Sequence, residues 1–298
     1  MSIPKIATYA MPVVAAMPSN RVDWRPDPAR AVLLIHDMQD YFLDFYDVQA
    51  APIPALIEHI SRLRAACDAA GVPVVYTAQP AEQAPQQRGL LQDWWGPGLT
   101  AQPQRAAVVA ALAPRAQDTV LTKWRYSAFV RSDLLQRMQA QGRDQLIVCG
   151  VYAHIGCLMT SADAFMQDIQ PFLIGDALAD FSAEQHAMAL AYVSQRCGVV
   201  THTEDVIMAL QPVATVAASG LPISLAALRT EVAHLMQIPS ADLRVDDNLL
   251  YAGLDSIRLM TLIERWRCAG SKLTFVDLAE RPTLAGWWTL FSAPVEAH

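Results

Sequence analysis

The chain has 298 residues, enough for one large and one small domain, and at 53% hydrophobic and 17% charged it can bury a substantial core. A net charge of -7 without any Lys/Arg run argues against nucleic-acid binding, which needs cations to neutralise a row of phosphates. No unbroken apolar stretch approaches the ~18 residues of a membrane span, so no membrane partner is expected.

The opening stretch, MSIPKIATYAMPVVAAMPSN, is broken by Pro4, Pro12 and Pro18 and lacks the basic and apolar regions of a signal peptide. Cysteines at 67, 149, 157, 197 and 268 are odd in number, widely spaced and without a CxxC pair. They read as buried free thiols of a reducing compartment, which makes the cytoplasm the expected location.

In chain order, AVLLIH (31–36), VPVVYT (72–77), DTVLT (118–122), QLIVCG (145–150), PFLIG (171–175) and GVVTHT (198–203) have the texture of strands. Between several of them lie IPALIEHISRLRAACDAAG, SDLLQRMQAQGRD and SAEQHAMALAYVSQRCG, whose apolar residues recur with helical spacing; Gly71 and Gly142 supply stops. The alternation predicts an α/β domain over residues 1–210, a Rossmann-like, mainly parallel six-stranded sheet with helices on both faces. Residues 211–222, QPVATVAASGLP, are small and proline-bounded and read as a linker. Within 223–298, LAALRTEVAHLMQI, SIRLMTLIERWRCAG and LAGWWTLFSA are helical patterns with no strand among them, so a small all-α domain is expected.

Side chains just beyond the C-terminal ends of parallel strands converge on a crevice. Here they are Asp37, Gln79, Lys123 and the run Tyr152 to Gly156, joined by Arg88, Trp94 and Trp95 from the loop after Gln79 and by Arg125 and Tyr126. An acid, cations, an amide and aromatics suit a small anionic ring compound. Singly, Asp37 reads equally as a helix cap, Lys123 as surface and Trp94 as a loop anchor; their convergence carries the argument. His36, His59, His154, His186 and His202 show no HExxH spacing and no paired-cysteine pattern, so no metal is expected. Ser256, in YAGLDSIRLM, reads either as a helix N-cap or as a handle for a prosthetic group.

The blocks LLIHDMQDYF (33–42), YTAQP (76–80), LTKWRYSAF (121–129) and GVYAHIGC (150–157) resemble the isochorismatase (cysteine-hydrolase-like) superfamily, over about residues 1–210. The resemblance is closest to its bifunctional members, the isochorismate lyase/aryl carrier proteins of siderophore biosynthesis. The superfamily's amidases use an Asp-Lys-Cys triad, and the resemblance places its first two members at Asp37 and Lys123. The nucleophile's position, six residues beyond Gly150, holds Gly156; Cys157 is one residue late, turned about 100° away at a helix start. A covalent route loses its nucleophile. By the resemblance Gly156 leaves room for substrate, and a cis peptide is expected at Val151-Tyr152.

The implied substrate is isochorismate, which carries a ring carboxylate and an enolpyruvyl ether with a second one. Vinyl-ether hydrolysis needs a general acid, and that role falls to Asp37. Lys123 beside it favours the ionised carboxylate, the wrong form for a donor; apolar surroundings (Phe42, Trp94) and the substrate's own carboxylates favour the protonated one. Lys123 and Arg88 are then expected to neutralise substrate, Gln79 and Tyr152 to orient a carboxylate or water, Gly156 and neighbouring N–H groups to receive a carboxylate, and Phe42, Trp94 and Tyr126 to wall the ring.

GLDSIRLM is similar to the GxDS motif of phosphopantetheine carriers, with Ala252 where a leucine is common. The resemblance implies a four-helix aryl carrier domain bearing 4'-phosphopantetheine on Ser256, with Arg258 and Met260 as docking candidates. Implied partners are a phosphopantetheinyl transferase, an aryl-acid adenylation enzyme and a nonribosomal peptide synthetase condensation domain; self-association is left open. Two rivals stand beside this reading: a cysteine amidase using Cys157, and an inactive α/β scaffold that serves only as carrier.

Overall fold

In β1 (Ala31–His36) alternate side chains leave the strand on opposite sides: Ala31, Leu33 and Ile35 enter one apolar cluster, Val32 and Leu34 another. A strand buried on both faces must sit inside a covered sheet. The computed structural model places it between β2 (Val74–Ala78) and β4 (Gln145–Val151), flanked further out by β3 (Thr119–Thr122), β5 (Gln170–Ala179) and β6 (Val199–Thr201). The order is β3-β2-β1-β4-β5-β6, and every pairing is parallel. The structure describes residues 3–211, 221–222, 224–236, 238–254 and 256–292, except the side chains at 234, 241, 256, 257, 261, 264, 268 and 292. Most of the stretch expected as a linker lies outside these residues. The chain divides into two units, Met1–Pro212 and Val213–His298.

Helices cover both faces of the sheet. Ile53–Ala69 and Thr203–Leu210 pack with the first cluster through Leu56, Ile60, Leu63 and Val206; Leu134–Ala140, Leu158–Met166 and Ala183–Arg196 pack with the second through Met138, Ala164 and Val193. Gly71 (φ +68°) and Gly142 (φ +63°) follow their helices in the left-handed conformation that ends them. Strand β2 starts two residues later than the pattern predicts, because Pro73 has no N–H for the ladder, although its carbonyl still accepts from Leu33 N at 3.0 Å. Strand β5 runs on through Asp176 to Ala179, pairing Leu178 with Gly150 and Ala179 with Val151. The chain order reverses between β1 and β4, so a crevice opens beyond their C-terminal ends, where Asp37 and Tyr152 lie.

The second unit has four α-helices among the described residues, Leu225–Met236, Ser256–Cys268, Phe275–Ala279 and Leu284–Ser292. The short third one was not visible as a period; it is set by a capping box between Thr274 and Asp277. Leu228, Val232, Leu259, Leu262, Leu278 and Trp287 are fully buried, and the Trp287 Nε1–H donates to Leu278 O at 2.9 Å. So small a core tolerates little loss. Trp287→Ala is expected to cost about 3–5 kcal/mol and to unfold this unit, seen as loss of its dispersed methyl resonances by NMR. No helix among the described residues is long and apolar enough to cross a membrane.

Candidate active site

Asp37 follows β1 directly, with φ +49°, a left-handed conformation that Asp tolerates better than most residues. Thr77, at the matching level of β2, holds it there: Asp37 N donates to Thr77 O (3.2 Å) and Oγ1 (3.1 Å), and Thr77 Oγ1–H donates to Asp37 Oδ1 at 2.6 Å. The other carboxylate oxygen receives Lys123 Nζ at 3.2 Å. Both residues are buried, at 6% and 3% exposure, so neither charge has much water to fall back on. Lys123 is aimed by its own backbone, whose N–H donates to Ala78 O at the end of β2.

The cleft above this pair is lined by Phe42, Gln79, Arg88, Tyr126, Tyr152 and Gly156, and also by Tyr41, Trp95, Arg125, Ile155, Phe181 and Ile3. Arg88 is 4% exposed and hydrogen-bonded to uncharged groups, Gly96 O and Gln83 Oε1. Arg125 donates to the carbonyls of Gln87 and Trp124. Among the described residues neither guanidinium has a carboxylate partner, and burial lowers the affinity of each for its proton. One buried and one half-buried cation, Arg88 and Arg125, without carboxylate partners at one cleft form a receptor for a dianion. The sequence places Arg125 at the crevice without a role of its own; the K-W-R spacing returns it to the cleft two residues after Lys123, as a second cation for substrate.

Gln79 reaches the cleft because its main chain is clamped. Its N–H donates to Gln39 Oε1 (2.7 Å), while Gln39 Nε2 donates to Gln79 O (2.9 Å) and to Ala106 O (2.6 Å). Gln39 itself is fully buried. Tyr126 Oη accepts from Trp95 Nε1 at 2.8 Å, fixing both rings in the wall. Phe181 stands edge-on to Tyr152 (4.6 Å between centroids) and to Trp95 (6.1 Å).

Several expectations need correction. Trp94 is not in the wall around Asp37: it is 67% exposed, and its neighbour Trp95 takes that place. The Tyr152 hydroxyl is committed, donating to Phe42 O at 2.7 Å, so the residue offers an aromatic face rather than a donor to substrate. The peptide between Val151 and Tyr152 is cis, as the resemblance implied. The helix that follows opens with a π-turn, Ala153–Cys157, and the N–H groups of His154, Ile155 and Cys157 already donate to Asp180 Oδ2 and Tyr152 O. A carboxylate therefore finds fewer unclaimed donors there than expected. Nor does Gly156 leave its side-chain direction open to substrate, because a Cβ there would lie 2.1 Å from His36 Cε1.

Cys157 is fully buried in the apolar cluster beneath the helix, and burial pushes its thiol well above its ordinary range. It does not line the cleft. Asp40 opens the short helix Asp40–Leu43 and faces Arg105 at 3.8 Å.

His36 is also fully buried. Its Nδ1–H donates to Val151 O at 2.9 Å, and Nε2 faces Thr160 Oγ1 at 3.4 Å. Burial, with Lys123 adding to it, lowers its pKa from 6.5 to about 4. Between those values the unfolded chain binds a proton that the native one refuses, so this contribution is complete above pH 6.5 and is lost as pH falls towards 4. The shift corresponds to about 3 kcal/mol. The expected result is a urea midpoint that drops from pH 7 to pH 4.5, and drops less in His36→Val.

Among the described residues no group of three or more His, Cys, Asp or Glu side chains is placed to hold a metal ion. In the second unit, the helix beginning at Ser256 follows a turn through Gly253 (φ +104°), whose missing side chain would face open space. Leu254 anchors that turn at 2% exposure, while Tyr251 (92%) and Met260 (53%) are exposed around the helix start. A serine leading a surface helix fits an attached phosphodiester, which helix-terminal N–H groups favour. The Ser256 side chain itself lies outside the described residues.

An acid–lysine pair at the switch point of a parallel sheet, with arginines around it and no thiol facing it, defines a hydrolase of the α/β cysteine-hydrolase-like class. The comparisons agree. The isochorismatase domain matches residues 31–205, and the phosphopantetheine attachment site matches 226–289. The isochorismatase of Bacillus subtilis is 48% identical over 98% of this chain and 96% of its own, and enterobactin synthase component B of Escherichia coli is 49% identical over 99% and 100%. Among solved structures, a cysteine hydrolase from Pseudomonas syringae pv. phaseolicola superposes with a TM-score of 0.58 at 25% identity, over 65% of this chain and 97% of that one. The chain belongs to the isochorismatase family. It joins an isochorismatase hydrolase domain to a phosphopantetheine carrier domain.

Proposed function

We propose that the cleft hydrolyses the enol ether of isochorismate by acid catalysis, giving pyruvate and 2,3-dihydroxy-2,3-dihydrobenzoate. The observation that carries this reading is the Asp37–Lys123 pair beneath two carboxylate-free arginines, with Cys157 buried out of reach. The substrate's carboxylates bring negative charge to Arg88 and Arg125, and their field favours protonated Asp37. Asp37 gives its proton to the terminal methylene, and the ether carbon becomes oxocarbenium-like. Water adds to that carbon and returns one proton to Asp37. The hemiketal then breaks its bond to the ring oxygen, its hydroxyl becoming the carbonyl of pyruvate and giving its proton to the departing ring oxygen.

In this reading Lys123 orients Asp37 and screens the arriving charge, Gln79 orients a carboxylate or the water, and Phe42, Trp95, Tyr126, Tyr152 and Phe181 keep bulk water away. Gly156 contributes bare backbone to the cleft lining, its missing side chain being directed at His36. Arg88→Ala is expected to raise KM about 10- to 100-fold, the loss of one charge-assisted contact, with a smaller change in kcat. Arg125→Ala should do the same to a lesser degree, its guanidinium being closer to solvent. The test of the whole is pyruvate release from isochorismate, coupled to lactate dehydrogenase. No release would leave the α/β unit a scaffold.

The carrier domain is proposed to hold an aryl acid, 2,3-dihydroxybenzoate, as a thioester on an arm attached at Ser256. When bound, 4'-phosphopantetheine supplies the thiol that accepts the acyl group. The similarity to enterobactin synthase component B supports siderophore assembly as the setting. A phosphopantetheinyl transferase, an aryl-acid adenylation enzyme and a condensation domain are the proposed partners, meeting the carrier around exposed Met260. The four described cysteines are free and buried, which supports a reducing compartment such as the cytoplasm.

A further inference from the structure

We propose that His36, and not the glycine at 156 alone, keeps this cleft free of a covalent nucleophile. The imidazole occupies the volume that any side chain at 156 would need.

A Cβ on Gly156 would lie 2.1 Å from His36 Cε1, 2.8 Å from Nε2 and 3.0 Å from Nδ1. All three distances fall inside the ~3.5–4.0 Å at which heavy atoms rest against each other. The atoms met are the far edge of a ring, which on an open surface would swing aside. This ring has nowhere to go. It is fully buried, Nδ1–H is bonded to Val151 O at 2.9 Å, and Nε2 faces Thr160 Oγ1, which itself accepts Ala128 N at 2.9 Å. Its backbone is equally fixed, because Gly150 of β4 approaches so closely that a Cβ there would meet His36 O at 2.2 Å.

The consequence is a two-residue determinant of reaction type. A thiol at 156 would share the cleft with Asp37 and Lys123, the pair that a covalent hydrolase of this superfamily couples to its cysteine. With the imidazole in place, restoring a cysteine there cannot restore that triad. Valine at 36 keeps the strand's β-branched character and lacks the three ring atoms that collide. His36 Nδ1 lies 3.5 Å from Asp37 Oδ2, beside the proton donor, but the ring passes no proton in this scheme; it acts through the space it denies. The functional meaning rests on the acid-catalysed reading above, whereas the steric claim does not.

The test uses the full chain in a Cys157→Ala background, which removes the neighbouring thiol, and peptide mapping separates label at 156 from label at Cys67, Cys149, Cys197 and Cys268. Gly156→Cys is made with His36 intact and again with His36→Val, and each is treated with iodoacetamide and mapped by mass spectrometry. The introduced thiol should label at least 10-fold faster in the His36→Val protein; equal rates would overturn the proposal. In parallel, Gly156→Ala should lower Tm by several degrees with His36 present and by less than half as much in His36→Val. Equal losses in both backgrounds would likewise defeat it. If Gly156→Cys folds only when residue 36 is valine, the claim is upheld; if neither cysteine variant folds, the alanine pair decides. Failure of the unaltered chain to release pyruvate from isochorismate would remove the proposed function, while the labelling and melting contrasts would stand.

Discussion

Asp37→Asn is expected to reduce kcat/KM for isochorismate by roughly 10²- to 10⁴-fold, the range that a positioned general acid supplies. The change is nearly isosteric, and its carbonyl can still accept the Thr77 hydroxyl that now bonds Oδ1. What disappears is the transferable proton. Because both arginines remain, substrate binding should survive and the loss should appear in kcat rather than KM. The variant also leaves Lys123, 3% exposed, without its counterion, so a fall in stability must be separated from a fall in turnover. Circular dichroism and the KM value make that separation. An Asp37→Asn protein of full activity would refute acid catalysis at this position. Iodoacetamide treatment of the unaltered enzyme should leave pyruvate release unchanged, since Cys157 is buried with its thiol held protonated.

Ser256→Ala should abolish covalent loading altogether while leaving pyruvate release at its full rate. Incubation with coenzyme A and a phosphopantetheinyl transferase, followed by intact mass measurement, should show the added arm on the parent chain and none on the variant. Each unit has its own apolar core, the carrier's formed by Leu228, Val232, Leu259, Leu262, Trp266 and Trp287, so neither change should disturb the other activity. The reciprocal holds: Asp37→Asn should load normally. An arm that still attaches to Ser256→Ala would move the attachment site elsewhere.

The sheet was legible in the sequence because strands buried on both faces are apolar almost without interruption, as AVLLIH and QLIVCG are. The second half of β5 was not. Gly175-Asp176-Ala177 has weak strand propensity, and its pairing comes from contacts with β4 that no local pattern encodes. Asp37 and Lys123 were legible only together: each alone also reads as a cap or a surface charge, and it is the parallel sheet that brings both strand ends to one crevice. Trp94 and Trp95 could not be told apart. Both fall in the short helix Leu90–Trp95, where neighbours point about 100° apart, and the flanking Gly89 (φ +55°) and Gly96 (φ +63°) set which one turns inward. The commitment of the Tyr152 hydroxyl to Phe42 O joins residues far apart in the chain and leaves no sequence trace. The His36–Gly156 contact is hidden for the same reason: a glycine shows that space is wanted, not what fills it.

Gln39 ties Gln79 O and Ala106 O to the end of β1 through one side-chain amide. Everything between those two carbonyls, including Arg88, Trp94 and Trp95, is therefore an excursion whose feet are pinned to a common post. Lengthening or shortening the excursion changes its closure entropy only slowly, so related chains can vary it freely as long as both feet keep their grip. A single hydrophobic replacement at the post would loosen both feet, leaving the excursion to the Trp95–Tyr126 and Arg125–Gln87 bonds and to the backbone bonds of Ala107 and Val109, and the cationic receptor would blur without any of its own residues having been touched.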